Sequence, residues 1–167
     1  EPDEGPAALS LNPVIAADAQ PTEVDLHAHP VLLIEDDAAL SEMLVEILTS
    51  EDYAVTAARD GQSGLHLALT GSFDVIILDI WLPGMDGLAT LAKLQERRVD
   101  APVVMISGHG NIESAVRAIK MGAFDFVEKP LSLDKTVAVV GNAVRQRRLE
   151  AENRELRATV DKRLTMV

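Results

Sequence analysis

The sequence predicts an α/β fold in which a doubly wound sheet of five parallel strands is covered by helices and followed by an extended C-terminal helix. From residue 31 onward, short apolar runs of strand length alternate five times with segments whose apolar residues recur at helical spacing. The strand-like runs are almost entirely apolar, which is typical of strands buried on both faces. Together these two observations favour parallel strands joined by helical crossovers.

The first two strand–helix pairs have clear local signals. A strand is predicted over residues 31–35 (VLLIE), and Asp37 is suited to cap the helix that follows it. The apolar residues of that helix recur at helical spacing, at positions 40, 43, 44, 47 and 48. A second strand is predicted over residues 53–58, followed by a short helix that Asp60 opens.

The same alternation continues to the end of the chain. The next three strands are predicted over residues 74–78, 101–107 and 123–129, of which the last is the weakest. The helices that follow them are predicted over residues 86–97, over residues 111–122 and from residue 132 onward. Asn111 is suited to cap the second of these helices, and Gly122 to end it.

The N-terminal segment differs from the rest of the chain. Residues 1–29 carry four prolines and scattered acids without a sustained period, so we expect a disordered or loosely structured extension. We interpret His27 and His29 as solvated linker residues, because two histidines without a third ligand rarely hold a metal. The remainder divides into one domain over residues 30–148 and a helical linker over residues 149–167.

Composition narrows the class of protein. The chain has 167 residues, a net charge of −12 and no cysteine, which excludes a disulfide framework and thiolate metal sites. The negative charge argues against direct nucleic-acid binding, and we interpret the basic run at residues 145–148 as a solvated helix face. No apolar run approaches the roughly 18 residues of a membrane span, and the N-terminus lacks a secretory signal. We therefore expect a cytoplasmic protein with no membrane partner.

Polar residues follow four of the predicted strands at their carboxyl ends. Glu35 and Asp36 come at the end of the first strand, Asp79 after the third, Ser107 at the end of the fourth and Lys129 at the end of the fifth. The carboxyl ends of parallel strands meet at one edge of the sheet, where ligands bind in such folds. We expect these side chains to lie close together there.

The chemistry of this edge points to phosphoryl transfer. Three carboxylates in contact would repel each other by on the order of 10 kcal/mol at an effective dielectric of about 20, so the cluster needs a proton or a cation. Oxygen ligands without His or Cys favour Mg²⁺ or Mn²⁺. Lys129 and Ser107 are suited to hold phosphate oxygens, and Asp79 could itself accept a phosphoryl group. Taken singly, these residues could instead be helix-cap acids, a turn-capping serine and a solvated lysine, but their joint placement favours the phosphoryl site.

Four motifs in this order and spacing closely resemble the receiver domain of two-component response regulators. They are LLIEDD, ILDIWLPGMDGL, VVMISGHG and DFVEKP, and the resemblance covers about residues 31–148. The stretch from Ser107 to Pro130 looks like receivers of sigma-54-dependent AAA+ transcriptional activators of the nitrogen-regulation type. The resemblance implies a flavodoxin-like sheet of strand order 2-1-3-4-5, and an effector module that would begin about where the chain stops.

The resemblance also implies a phosphoacceptor and its metal ligands. Asp79 matches the phosphoacceptor aspartate. Glu35 and Asp36 match the acidic pair that binds Mg²⁺ together with Asp79, and Trp81 matches the position that offers its backbone carbonyl to the metal.

Three further positions match the residues that sense the phosphoryl group. Lys129 matches the phosphate-pairing lysine, and its bond to Pro130 is expected to be cis. Ser107 matches the switch hydroxyl and Phe126 the switch aromatic, which here has no hydroxyl of its own, so its movement would rest on packing. The implied output surface is the fourth helix, fifth strand and fifth helix, residues 111–146.

The implied partners are a cognate sensor histidine kinase and a second copy of the chain. A phosphohistidine of the kinase would donate the phosphoryl group, and the switch would regulate a transcription effector. Along the last helix, apolar residues and one asparagine follow a heptad seam at Leu149, Asn153, Leu156 and Val160. This seam predicts a parallel homodimer, while a single solvated helix is the alternative.

Two other functions remain as alternatives. An aspartate-nucleophile phosphohydrolase would commonly carry a second Asp two residues after the nucleophile, where this chain has Trp81. A dimerisation module without phosphorylation would not need the complete set of acidic, hydroxyl and lysine residues. We therefore expect a signalling switch with no turnover beyond self-phosphorylation and slow self-dephosphorylation.

Overall fold

The sheet has the predicted class and order. The structure is a computed structural model that describes residues 28–108 and 110–166. Five parallel strands pair in the order β2-β1-β3-β4-β5. In chain order the elements are β1 (His29–Ile34), α1 (Ala38–Ser50), β2 (Tyr53–Ala58), α2 (Gly61–Thr70), β3 (Val75–Asp79), α3 (Gly87–Glu96), β4 (Val103–Ser107), α4 (Ile112–Lys120), β5 (Asp125–Glu128) and α5 (Leu133–Met166).

Helices cover both faces of the sheet, as the apolar strands predicted. On one face, alternate residues of β1, β3 and β4 pack with α1 and with the first part of α5. The other alternate residues pack with α2, α3 and α4. The core side chains of β1 and β3 are fully buried, and burial of each large apolar side chain contributes roughly 1.5–3 kcal/mol.

Two predicted helix caps are confirmed. The Asp37 carboxylate accepts the Leu40 N–H at 3.1 Å, and the Asp60 carboxylate accepts the Ser63 N–H at 2.7 Å. Asn111 does precede α4, but its side chain makes no capping hydrogen bond. Gly122 follows the end of α4 with a φ of +110°, the left-handed conformation for which glycine is suited.

Strand β1 begins earlier than predicted, and the interpretation of His29 as a solvated linker residue is wrong. His29 pairs with Tyr53 in the sheet, and its Nδ1 lies 2.8 Å from Asp74 Oδ2. A nitrogen of Arg148 lies 2.8 Å from His29 Nε2. Apart from Ala28 and His29, the predicted N-terminal extension lies outside the described residues, as does His27.

The last helix extends well past the sheet. From about residue 149 onward its side chains are largely exposed, although Arg154 still reaches Asp100 at 3.2 Å. The apolar residues of the predicted seam, Leu149, Leu156 and Val160, are all exposed. Within the described part of the chain, no helix has both the length and the apolar character of a membrane span.

Candidate functional site

Asp79 is the centre of the site. It is the last residue of β3, so the apolar strand before it carries its carboxylate to the carboxyl edge of the sheet, where only 1% of the residue is exposed. The Trp81 N–H donates to its Oδ1 at 3.1 Å, and Lys129 Nζ donates to its Oδ2 at 3.3 Å. The lysine reaches Asp79 from the end of β5, so the fold brings together residues that are far apart in the chain.

Two further acids stand beside Asp79 at the end of β1. Glu35 is completely buried, whereas Asp36 is exposed. One carboxylate oxygen from each of Glu35, Asp36 and Asp79 lies within 4.8 Å of the others. The Asp37 N–H donates to Glu35 Oε2 at 3.0 Å, while Glu35 Oε1 is buried without a hydrogen-bond partner among the described residues. The cluster predicted at this edge is therefore present.

The electrostatics of the pocket follow from this crowding. Burial raises the pKa of Glu35 to about 8, and the neighbouring Asp79 carboxylate adds to the increase. Burial alone would lower the pKa of Lys129, but the carboxylates of Asp79 and Glu35 outweigh it and raise that pKa. The lysine therefore stays charged, and below about pH 8 the acidic cluster retains a proton until a cation replaces it.

The acidic cluster fits a divalent cation. All three side chains offer hard oxygen donors, which favour Mg²⁺ or Mn²⁺. The buried, unpartnered Oε1 of Glu35 leaves a desolvated lone pair that a cation would satisfy. The exposed Asp36 leaves this side of the cluster open to solvent, which suits a metal that keeps some of its waters.

Ser107 lies at the predicted place, but its hydroxyl is engaged elsewhere. It is the last residue of β4 and is completely buried. Its Oγ donates toward the Asn111 carbonyl oxygen at 3.1 Å and the Gly108 carbonyl oxygen at 3.3 Å. Among the described residues, the hydroxyl is thus directed to the loop after β4 and not to Asp79.

Phe126 and Trp81 have different surroundings. Phe126 pairs with Met105 across β4 and β5 and packs, half-buried, against the core on that face. The Trp81 side chain is 62% exposed, and its ring lies 3.8 Å from the place of a β-carbon built on Gly108. The role of the Trp81 carbonyl as a metal ligand stays a prediction.

Two residues near the site were missed by sequence reasoning. Gly87, at the start of α3, packs directly on the backbone at the end of β3, and a β-carbon there would lie 2.2 Å from the Asp79 carbonyl oxygen. Glu128 accepts the Gly110 N–H at 3.1 Å and so holds the loop after β4. Neither contact has a local signal in the sequence, because both join residues of different elements.

Comparison with known proteins agrees with this geometry. A family profile described as "Response regulator receiver domain" matches residues 31–141. The nitrogen assimilation regulatory protein NtrX of Azorhizobium caulinodans is 43% identical over 132 residues, which are 78% of this chain and 29% of that protein. The transcriptional regulatory protein FixJ of Bradyrhizobium diazoefficiens is 38% identical over 117 residues, 70% of this chain and 57% of that protein.

The comparison with solved structures also points to a receiver domain. The crystal structure of the receiver domain of NtrX from Brucella abortus is 39% identical with a TM-score of 0.66, covering 69% of this chain and 98% of that one. The chain spans only 29% of the length of the Azorhizobium relative, so the comparison concerns the receiver portion alone. A profile match over most of the chain, a sheet of the same fold and an acidic cluster beside a lysine lead to one conclusion: the chain belongs to the response regulator receiver domain family.

Proposed function

We propose that this receiver domain is a phosphorylation-dependent switch that accepts a phosphoryl group on Asp79 from the phosphohistidine of a cognate sensor histidine kinase. The observation that carries the proposal is the environment of one buried carboxylate. Asp79 is flanked by the acids Glu35 and Asp36 and lies 3.3 Å from the Lys129 ammonium. Two carboxylates and a lysine around a nucleophilic aspartate are suited to receive an anionic phosphoryl group.

In the proposed transfer, one oxygen of the Asp79 carboxylate attacks phosphorus in line. The new O–P bond forms as the P–N bond of the phosphohistidine breaks. The electron pair of that bond stays on an imidazole that is already protonated on its other nitrogen, so the kinase histidine leaves neutral. Lys129 holds its positive charge beside the reacting carboxylate and pairs with a phosphoryl oxygen, which lowers the repulsion between the two anions.

We assign Mg²⁺, or Mn²⁺, to the acidic cluster. Glu35, Asp36 and Asp79 would hold it, with the Trp81 backbone carbonyl as a further ligand. When bound, the cation neutralises charge on the phosphoryl oxygens. The buried Oε1 of Glu35 supports this assignment, because it has no hydrogen-bond partner among the described residues and a cation would give it one.

The proposed output starts at Ser107. On phosphorylation its hydroxyl leaves the Asn111 carbonyl and bonds a phosphoryl oxygen, and Phe126 moves into the space that opens. The surface of α4, β5 and the first part of α5 then changes, which biases a two-state equilibrium. Through this surface and through dimerisation of α5, the switch regulates a transcription effector that lies outside this chain.

Beryllofluoride, an analogue of the phosphoryl group, tests the proposal directly. We expect the protein to bind it only when Mg²⁺ is present, with a change in the fluorescence of Trp81, the single tryptophan of the chain. Trp81 suits this measurement because its backbone N–H donates to the Asp79 carboxylate, so its indole lies close to the site. Absence of any Mg²⁺-dependent beryllofluoride binding would refute the proposed phosphoryl site.

Mg²⁺ binding is expected to tighten as the pH rises toward 8. The pKa of Glu35 is raised to about 8, so below that pH a proton occupies a carboxyl that the cation needs. Each cation bound must release this proton, and the dissociation constant should fall by up to about ten-fold per pH unit until it levels off above the pKa. Titration of Trp81 fluorescence with Mg²⁺ across this pH range measures the effect.

The control for this dependence is Glu35→Gln, which cannot titrate. It should bind Mg²⁺ more weakly than the wild type, with little change across the same pH range. Without a cation, the wild type should also lose stability as the pH rises from the ordinary glutamate pKa of 4.5 to about 8, because only the folded state keeps the proton there. If the affinity of the wild type for Mg²⁺ did not change across this pH range, Glu35 would have to be ionised in the folded protein.

The dimer proposal is tested at Leu156. This side chain is 65% exposed on α5, so its replacement should leave the receiver fold intact. The wild type is expected to show a dimeric mass at high micromolar concentration, and Leu156→Glu a monomeric mass, because the seam would then bury a charge. Ala158→Glu, on the outer side of the same helix, should remain dimeric. A monomeric mass for the wild type, both with and without beryllofluoride, would refute the proposed dimer.

A further inference from the structure

The described residues of the loop between β4 and α4 are Gly108, Gly110 and Asn111, and hydrogen bonds hold this loop at two points. At one point the Ser107 hydroxyl donates to the Asn111 carbonyl oxygen at 3.1 Å. At the other, the Gly110 N–H donates to Glu128 Oε2 at 3.1 Å. Between them, the Asn111 N–H closes a turn onto the Gly108 carbonyl at 3.0 Å. The loop thus links the Ser107 hydroxyl to a carboxylate on the edge strand.

Glu128 stands apart from the acidic cluster and close to the switch residues. It lies directly opposite Ser107 in the pairing of β4 with β5. Its neighbour Val127 is buried in the core on one face of the sheet, so Glu128 and Phe126 share the other face. Glu128 is not among the three acids that can hold a cation together, so its carboxylate has no part in that site.

The hydrogen bond from Ser107 to Asn111 and the one from Gly110 to Glu128 are coupled through the loop. A serine hydroxyl has one proton, so Ser107 cannot donate to Asn111 and to a phosphoryl oxygen at the same time. Turning toward Asp79 would leave the Asn111 carbonyl with only the longer bond from the Ala115 N–H at 3.4 Å. Asn111 Nδ2 is already buried without a partner among the described residues. The loop therefore has reason to move when Ser107 turns, and the bond from Gly110 to the Glu128 carboxylate opposes that movement.

We propose that Glu128 is a positioning residue that holds the β4–α4 loop, and through it the Ser107 hydroxyl, in the arrangement directed away from Asp79. Glu128 thereby sets how readily the receiver adopts its phosphoryl-bound form. The proposal deepens the phosphoryl-acceptor function and rests on it. A ligand that requires Ser107 to turn must first overcome the Gly110–Glu128 bond, so loss of that bond strengthens its binding.

The test compares Glu128→Ala and Glu128→Gln with the wild type in the full chain. Both variants remove the charge, but only glutamine keeps an oxygen that can accept the Gly110 N–H. With Mg²⁺ present, Glu128→Ala should bind beryllofluoride about 3- to 10-fold more tightly than the wild type. Glu128→Gln should lie close to the wild type, and all three should bind Mg²⁺ alone equally.

A second measurement follows the loop itself. In the wild type the Gly110 amide proton should resonate downfield because it is bonded to a carboxylate, and it should move upfield in Glu128→Ala and when beryllofluoride binds to the wild type. Equal beryllofluoride affinity in the two variants would assign the effect to charge alone and overturn the proposal. An unchanged or weaker affinity in a folded Glu128→Ala variant would also overturn it. A wild type that binds no beryllofluoride would instead refute the phosphoryl site, and this inference with it.

Discussion

Replacing Asp79 by asparagine is expected to abolish the incorporation of phosphate from acetyl phosphate in the presence of Mg²⁺. The amide nitrogen and oxygen of asparagine cannot form the acyl phosphate, because the carboxylate nucleophile is gone. We expect neither of the other acids of the cluster to replace it, because Glu35 and Asp36 would hold the cation and the Lys129 ammonium is directed to position 79. Intact-protein mass, with hydroxylamine treatment to reveal an acyl phosphate, measures the loss.

Asp74→Asn is the matched control for this variant. Asp74 immediately precedes the same strand at its opposite end and is also ion-paired, with His29 and with Arg147. Its replacement should leave phosphate incorporation unchanged while weakening the contacts that attach the start of the α5 extension to the sheet. If Asp79→Asn still gained a hydroxylamine-sensitive phosphate, the phosphoacceptor would be another residue.

Replacing Gly87 by alanine is expected to destabilise the protein by about 2–4 kcal/mol, an effect of overpacking against backbone atoms. A β-carbon at this position would lie 2.2 Å from the Asp79 carbonyl oxygen and 2.5 Å from the Ile80 α-carbon. These are backbone atoms at and just after the end of β3, and they cannot rotate away as a flexible side chain would. The Gly87 N–H is also bonded to the Ile80 carbonyl at 2.8 Å, so α3 cannot withdraw freely. Urea unfolding measures the loss.

Gly141→Ala is the same substitution in a different environment. A β-carbon there would meet only the ends of Arg145 and Tyr53 at 3.8 Å, an ordinary contact, within α5. Alanine should therefore stabilise the protein by about 0.5–1 kcal/mol through its higher helix propensity. Equal effects of the two substitutions would show that the close approach of Gly87 to β3 does not limit stability.

Local features were predictable because they depend on neighbours in the chain. The caps at Asp37 and Asp60 each use a side chain and an N–H three residues onward, so a short stretch of sequence contains both partners. Asn111 satisfied the same pattern, yet its side chain makes no capping bond. Its backbone, with φ −103° and ψ 51°, lacks the extended conformation of the other two caps.

The position of His29 required the tertiary structure. A histidine after a proline-rich segment has the composition of a linker, but pairing with β2 extends the first strand to include it. Its partner Asp74 and the nearby Arg148 come from distant parts of the chain. No local pattern could indicate these contacts, because a side chain's surroundings in a sheet depend on which strands become neighbours.

The sequence by itself determined the fold class and the membership of the acidic cluster. Alternating strands and helices require a parallel sheet, and a parallel sheet brings the carboxyl ends of β1, β3 and β5 to one edge, so Glu35, Asp79 and Lys129 had to gather there. Only the tertiary structure decided the distances and the hydrogen bonds within the site. It alone shows that Glu35 Oε1 has no hydrogen-bond partner among the described residues and that the Ser107 hydroxyl donates to the Asn111 carbonyl. The physical reason is that the alternation of strands and helices depends on the hydrophobic pattern along the chain. A hydroxyl or carboxylate instead bonds whichever partner the packed backbone places within about 3 Å.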